Sequence, residues 1–123
     1  MKKLLSIWTV GVLIAGCDCL CTDREFGDIK LKLTINEQNT TVDVLIMEGY
    51  LDDRDTLEQD VVAREKVRYK EFIPDTYYTG VATYQKNGRT VKVIDGRFMD
   101  LKENEDCDCY RAENITLNLR LKE

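Results

Sequence analysis

The residues best suited to chemistry in this sequence are its five cysteines, Cys17, Cys19, Cys21, Cys107 and Cys109. Cysteine thiolates act as nucleophiles, as metal ligands and as partners in disulfides, and a histidine often activates them in catalysis. The 123 residues include no histidine, which excludes Cys–His and Ser–His–Asp catalysis and every histidine-ligated metal site. We therefore interpret the cysteines as points of covalent attachment or crosslinking.

The first cysteine follows a segment that is typical of a secretion signal. Lys2 and Lys3 precede an uncharged, largely apolar run over residues 4–16. As a helix this run would be about 20 Å long, which is short of the roughly 30 Å hydrocarbon core of a bilayer. Removal of residues 1–16 would leave 123 − 16 = 107 residues, enough for one domain, and would change the net charge from −5 to −7 because two lysines leave.

The junction reads Ile14-Ala15-Gly16-Cys17, which resembles the lipobox of bacterial lipoproteins. The resemblance implies cleavage between Gly16 and Cys17, a diacylglyceryl thioether on Cys17 and acylation of its new amino group. Several acyl chains anchor a protein almost irreversibly, because each buried CH₂ contributes about 0.8 kcal/mol. We expect a protein of the bacterial cell envelope anchored to a membrane by lipid, with the choice between inner membrane and outer membrane or surface open. Ordinary signal-peptide cleavage and a short anchor are the alternatives.

The other four cysteines form two Cys-x-Cys pairs, Cys19 with Cys21 and Cys107 with Cys109. Oxidation is the default in the envelope, and a bridge within either pair would close a tight, strained ring. Two disulfides between the pairs are therefore favoured, with the connectivity open, and closing so long a loop would contribute about 4–5 kcal/mol. The alternatives are a four-thiolate zinc or iron–sulfur site, whose ligands are usually spaced C-x₂₋₄-C, and reduced or internally bridged Cys19 and Cys21.

Acidic residues are the next candidates, because the chain holds 23 of them against 18 lysines and arginines. Two clusters, residues 52–60 and residues 103–108, lack the glycine and the ordered spacing of an EF-hand calcium loop. Solvated surface loops are favoured over calcium sites, and no metal or cofactor is expected. Paired carboxylates for glycoside hydrolysis are an alternative, although 107 residues leave little room for a cleft that desolvates one of them.

The overall charge and the aromatic content bear on the choice of partner. An acidic domain this small is a poor candidate for binding phosphate backbones, so no nucleic-acid partner is expected. Tyrosine suits both glycan and protein surfaces. Six tyrosines are present, of which we expect one or two at most to be exposed: Tyr50, Tyr69, Tyr77, Tyr78, Tyr84 and Tyr110.

Strand patterns dominate the rest of the chain. In residues 28–35, aliphatic side chains at every second position share one face, while Lys30, Lys32 and Thr34 share the other, which predicts a half-buried strand. Asn87-Gly88 predicts a tight hairpin. Further strand-like stretches cover residues 40–48, 77–84, 89–94 and 115–121.

Two stretches are harder to assign. Residues 56–72 support either a helix, from a capping-box pattern at Asp55 and Glu58, or strands, which are favoured because the flanks are strongly β. Residues 96–113 are predicted to be a long acidic loop. The whole pattern predicts an all-β fold, an antiparallel immunoglobulin-like β-sandwich of about seven strands. The expected organisation is a signal peptide over 1–16, a lipidated terminus and tether over 17–27, and the sandwich over 28–123.

Residues 73–81, with the sequence IPDTYYTGV, resemble the segment of fibronectin type III domains that enters the penultimate strand. In those domains a proline is followed four residues later by a tyrosine that caps the corner, which places Pro74 and Tyr78 in these roles. The resemblance implies that the Tyr78 hydroxyl bonds to the backbone upstream.

A lipobox followed by one small β-domain is similar to small bacterial lipoproteins. With an anchor and without catalytic equipment, the chain is expected to be a non-catalytic binding or structural module for an envelope protein or a glycan. The alternatives are a small envelope hydrolase using paired carboxylates and a cysteine-based metal or redox module.

Overall fold

A computed structural model describes residues 26–50, 55–104 and 109–122. Within these ranges the chain forms strands and no helix, which confirms the predicted all-β class and resolves residues 56–72 as strands. The strands are β1 (Gly27–Lys32), β2 (Val42–Glu48), β3 (Asp55–Val62), β4 (Lys66–Phe72), β5 (Thr76–Lys86), β6 (Arg89–Met99), β7 (Leu101–Asn104), β8 (Cys109–Ala112) and β9 (Ile115–Asn118).

The strands form two facing sheets and a ribbon. One sheet has the order β4-β1-β9, the other has the order β3-β2-β5-β6, and β7 pairs with β8. Every pairing is antiparallel except that of β1 with β9, which is parallel. The parallel pair was not expected, because side-chain alternation sets which face a residue occupies and carries no information on strand direction.

A single hydrophobic core lies between the two sheets. Alternate residues of each strand point inward, so the predicted apolar face of β1 is buried. Ile29 and Leu31 meet Val44, Ile46 and Tyr84 of the other sheet in one cluster, and each of these side chains is at most 1% exposed. Packing of this kind is the main stabilising contribution in a small sandwich.

The predicted turns are present. Asn87 and Gly88 have φ values of 52° and 78°, as a type I′ turn requires, and they join β5 to β6. At the β4–β5 corner the Tyr78 hydroxyl donates a 2.6 Å hydrogen bond to the Ile73 carbonyl oxygen, as expected. A buried tyrosine in this role is a hallmark of immunoglobulin-like sandwiches.

The prediction of a long loop over residues 96–113 is wrong. β6 continues through Gly96 to Met99, and β7 and β8 form a two-stranded ribbon within this stretch. The ladder with β5 continues past Gly96, whose N–H donates to the Asp95 carboxylate. The other oxygen of that carboxylate accepts from the Asn118 N–H of β9, so Asp95 links the edges of the two sheets. The two ribbon strands raise the count from the expected seven to nine within the described ranges.

The chain enters the domain at the base of this ribbon. A Cβ on Gly27 would lie 2.6 Å from the Met99 sulfur and 2.7 Å from the Glu113 carbonyl oxygen, so no larger residue fits there. The Asp28 N–H donates to the side-chain oxygen of Asn114 at 2.9 Å. The start of β1 is therefore held against the segment that leaves β8.

Candidate functional site

The predicted sites of covalent chemistry fall outside the part of the chain that the structure describes. This holds for the cleavage site Gly16–Cys17, for Cys19 and Cys21, and for Cys107. Cys109 is the first residue of β8, and only its backbone is described. Lipidation and the two disulfides therefore stay predictions.

The first acidic cluster lies on β3, an edge strand, as far as it is described. Asp60 accepts two hydrogen bonds, from the Tyr69 hydroxyl at 2.7 Å and from the Val61 N–H at 2.8 Å. Burial, together with the hydrogen bond and the charge of Asp60, raises the pKa of Tyr69 well above its usual value. Among residues 26–50, 55–104 and 109–122, no group of three or more acidic or cysteine side chains is arranged to hold a metal ion.

The second acidic cluster is only partly described. Glu103 lies on β7, directly opposite Tyr110 of β8, and both are exposed. Residues 105–108 lie outside the described ranges, so the expectation of a surface loop there is untested.

The most distinctive surface is on the outward face of the four-stranded sheet. Tyr50 stacks on Tyr77, with ring centroids 4.5 Å apart and an interplanar angle of 24°. Phe98 lies directly opposite Tyr77 in the β5–β6 ladder, and Ile94 points the same way four residues earlier on β6. Tyr50, Ile94 and Phe98 are 66%, 48% and 45% exposed. We call these four residues, Tyr50, Tyr77, Ile94 and Phe98, the aromatic patch.

Local backbone features hold the aromatic patch in place. The Tyr77 ring lies across Gly96, and a Cβ at that position would collide with the ring. The loop that carries Tyr50 is pinned twice at Gly49. Its N–H donates to the Tyr77 carbonyl oxygen, and its carbonyl oxygen accepts from the Thr79 hydroxyl, each at 2.7 Å. Gly49 has a φ of 85°, which a residue with a side chain rarely adopts.

The sequence predicted only part of this patch. It predicted that one or two tyrosines would be exposed, and Tyr50 and Tyr110 are the two exposed ones. It missed Phe98, because β6 was expected to end at Ile94 and Phe98 was assigned to a loop. The alternation of Ile94, Gly96 and Phe98 beyond the expected strand end was the available signal.

Two further findings bear on function. No helix long and apolar enough to cross a membrane occurs in the described ranges. No family model matches the chain, and no curated protein matches it.

Proposed function

We propose that this chain is a lipid-anchored, non-catalytic binding module of the bacterial cell envelope, which holds a partner protein on the aromatic patch. The observation that carries the proposal is the exposure of Ile94 and Phe98 on the outward face of β6, together with Tyr50, whose loop stacks it on Tyr77 directly opposite Phe98. Aromatic residues are enriched in the cores of protein interfaces, because they bury a large area at a small cost in side-chain entropy. The stacked Tyr50 and Tyr77 rings add a surface that is already ordered before binding.

A partner protein is favoured over a glycan. Ile94 offers only aliphatic surface, and Phe98 has no hydrogen-bonding group, whereas sugars need polar groups close to any stacked ring. Exposed apolar side chains around an aromatic centre are the composition of an interface core. A glycan partner is the second candidate, supported by the exposed ring of Tyr50.

The anchor is proposed from the lipobox residues Ile14-Ala15-Gly16-Cys17. In this proposal residues 1–16 are removed, Cys17 carries the lipid, and residues 17–27 connect it to the sandwich. The domain would then be held at an envelope membrane, inner or outer, by buried acyl chains.

The proposed disulfides are supported by where the chain enters the domain. Gly27 lies against Glu113, at the base of the ribbon that begins its second strand with Cys109. Cys21 is six residues before Gly27 and Cys109 is four residues before Glu113, so extended chains of about 20 Å and 14 Å separate them from this contact. The two Cys-x-Cys pairs are therefore within reach of each other. Crosslinks between them would tie the tether to the ribbon.

The alternative functions have less support. A hydrolase needs two carboxylates facing one cleft, whereas Asp60 is already held by Tyr69 and by the Val61 N–H on an edge strand. A metal or redox module would depend on four cysteines, of which Cys19, Cys21 and Cys107 lie outside the described part of the chain.

The test is affinity capture of the full-length, tagged protein from its own envelope after crosslinking. The patch variant combines Tyr50→Ser with Phe98→Ser. The control is Tyr110→Ser, which removes from β8 a ring whose exposure lies between those of Tyr50 and Phe98. A partner retained by the parent and by the control, and reduced at least about tenfold in the patch variant, would support the proposal. Equal capture by all three proteins would refute it, and capture of polysaccharide alone would favour the glycan.

A further inference from the structure

The outward face of the three-stranded sheet is basic, although the chain as a whole carries a net charge of −5. Lys30 and Lys32 of β1 point outward and alternate with the buried Ile29, Leu31 and Leu33. In the β1–β4 ladder Lys30 lies directly opposite Arg68, and Lys32 lies directly opposite Lys66. We call these four residues, Lys30, Lys32, Lys66 and Arg68, the basic face.

These positive charges are poorly compensated. Asp28 on β1 forms one ion pair at 3.5 Å with Arg68. Among the described residues Lys30, Lys32 and Lys66 have no ion-pair partner. The outward positions of β9 hold Thr116 and Asn118, which are uncharged.

Like charges directly opposite each other on neighbouring strands are destabilising. The neighbouring pairs Lys30–Arg68 and Lys32–Lys66 therefore lower the stability of the fold. A role of these charges in binding would explain why they are present. We propose that the basic face docks against the anionic surface of a phospholipid bilayer. Each lysine or arginine close to an anionic bilayer strengthens binding roughly fivefold, which is about 1 kcal/mol.

The position of the basic face in the chain favours a bilayer over a soluble polyanion. Phe26 is nine positions after Cys17, so the tether reaches at most about 30 Å from the proposed lipid. Phe26 is 46% exposed, directly precedes β1 and offers an apolar side chain to the membrane interface. Lys30 and Lys32 follow within about 20 Å along the strand. A flat sheet face also matches a flat surface better than it matches a single polymer chain.

The opposite sheet fits this orientation. It carries the aromatic patch on its outward face, so docking through the basic face would turn Tyr50 and Phe98 away from the lipid and toward a partner. The outward face of that sheet carries Asp43 and Lys92 in one row across Thr83, so these two charges offset each other there and attract anionic lipid less than the basic face does. The inference rests on the proposed function in one respect, because the acyl chains on Cys17 would bring the domain to a membrane. The contact between the basic face and anionic headgroups does not itself require those acyl chains.

The test measures vesicle binding by the full chain carrying Cys17→Ser, which cannot be acylated at that residue. Vesicles are phosphatidylcholine alone or with about one-third phosphatidylglycerol. Residues 4–16 are apolar and should bind both kinds of vesicle, so binding to phosphatidylcholine alone measures their contribution. Lys2 and Lys3 should add the same attraction to anionic vesicles in every variant. The parent is expected to bind anionic vesicles at least about 100-fold more tightly than neutral ones, because the basic face has four cations at roughly fivefold each. The difference should vanish near 0.5 M salt, where the Debye length is only about 4 Å.

The decisive variant combines Lys30→Glu with Lys66→Glu. Each change places a carboxylate opposite a cation, Arg68 or Lys32, so the fold should be retained, which thermal unfolding checks. Binding to anionic vesicles is expected to fall at least about 25-fold, from two lysines at roughly fivefold each. The matched control combines Arg89→Glu with Lys92→Glu on β6. It makes the same change in net charge on the opposite sheet and should bind like the parent.

Equal binding by parent and decisive variant would overturn the inference, and so would an equal loss in the control. Binding of inorganic polyphosphate to the basic face without binding to anionic vesicles would replace the bilayer with a soluble polyanion. Neither result depends on the anchor, which is tested separately by acylation of Cys17. Failure of the docking inference and failure of the proposed anchoring are therefore distinguishable.

Discussion

The Tyr78 hydroxyl donates a 2.6 Å hydrogen bond to the carbonyl oxygen of Ile73, five residues earlier in the chain. Tyr78 is 1% exposed, and its ring also meets Phe72 edge to face at 5.3 Å. One side chain thus joins the core to the turn between the two sheets.

Tyr78→Phe should keep the ring contact with Phe72 and lose only the hydrogen bond. Because the Ile73 carbonyl oxygen would lose its partner at a partly buried site, the free energy of unfolding should fall by about 1–2 kcal/mol. Urea unfolding measures this change, and Tyr110→Phe on the exposed ribbon is the control, expected within about 0.5 kcal/mol of the parent. An equal loss of unfolding free energy in both variants would mean that the hydrogen bond from Tyr78 to Ile73 makes no specific contribution to stability.

Lys66→Glu should stabilise the domain. The change converts the like-charge pair of Lys32 and Lys66 into an opposite-charge pair, so the free energy of unfolding should rise by about 0.2–1 kcal/mol at low salt. The gain should shrink at high salt, because exposed pairs are screened. Lys92→Glu makes the same charge change opposite the neutral Thr83 and serves as the control. A destabilised Lys66→Glu protein would contradict the cross-strand repulsion on which the basic face is argued.

Gly96→Ala should disturb the aromatic patch. The added Cβ collides with the Tyr77 ring, so the ring must move and the domain should lose about 1–3 kcal/mol of stability. In a Tyr77→Ala background the same substitution should cost much less, because the colliding ring is gone. Urea unfolding of the four proteins of this cycle gives the coupling energy, and additive losses would show that Tyr77 and Gly96 do not constrain each other.

The domain should lose stability in alkaline solution through three tyrosines. Burial raises the pKa of Tyr78 and Tyr84, and burial with the Asp60 hydrogen bond raises that of Tyr69. In the unfolded chain these hydroxyls ionise near pH 10, while in the folded domain they stay protonated above it. The unfolded state then releases more protons, so the free energy of unfolding falls as the pH rises above about 10 and is unaffected by these groups well below it.

The ultraviolet absorbance of tyrosinate, followed against pH, checks this expectation. Part of the absorbance change should appear near pH 10, and the rest only when the domain unfolds at higher pH. Tyr69→Phe should remove part of the late change. A single transition near pH 10 for all tyrosines, in a domain that is still folded, would contradict the burial of these hydroxyls.

The strands with strict alternation were predictable from the sequence, because a period of two separates a buried face from a solvated one. Residues 28–35 and 115–121 are examples, and Asn87-Gly88 fixed a hairpin because both residues tolerate a positive φ. The parallel pairing of β9 with β1 was not predictable, since side-chain alternation carries no information on strand direction. The β7–β8 ribbon was missed because its strands are short and polar.

The candidate surfaces were predictable to a smaller extent. The alternation placed Lys30 and Lys32 on one face, but only the register brought Lys66 and Arg68 opposite them. The net charge of the chain did not indicate this cluster of cations, because a sum over all residues does not show where the charges lie. The aromatic patch likewise depends on the Tyr77 ring of β5 lying across Gly96 of β6. The sequence alone does not show this contact, because it depends on the register between the two strands.

Cys17→Ser separates the two proposed attachments to the membrane. The parent, expressed in a bacterium that acylates lipoproteins, should stay with the membrane fraction in about 0.5 M salt, because acyl chains are held by the hydrophobic effect and are insensitive to screening. The variant carries no acyl chains, so the same salt wash should release it to a much greater extent. Apart from residues 4–16, only charge attraction would then hold it at the membrane. Incorporation of radiolabelled palmitate into the parent and not into the variant checks the chemistry itself. Unchanged membrane association of Cys17→Ser at high salt, with no label in either protein, would refute the lipid anchor and leave the charge contact of Lys30, Lys32 and Lys66 to be judged on the vesicle measurements alone.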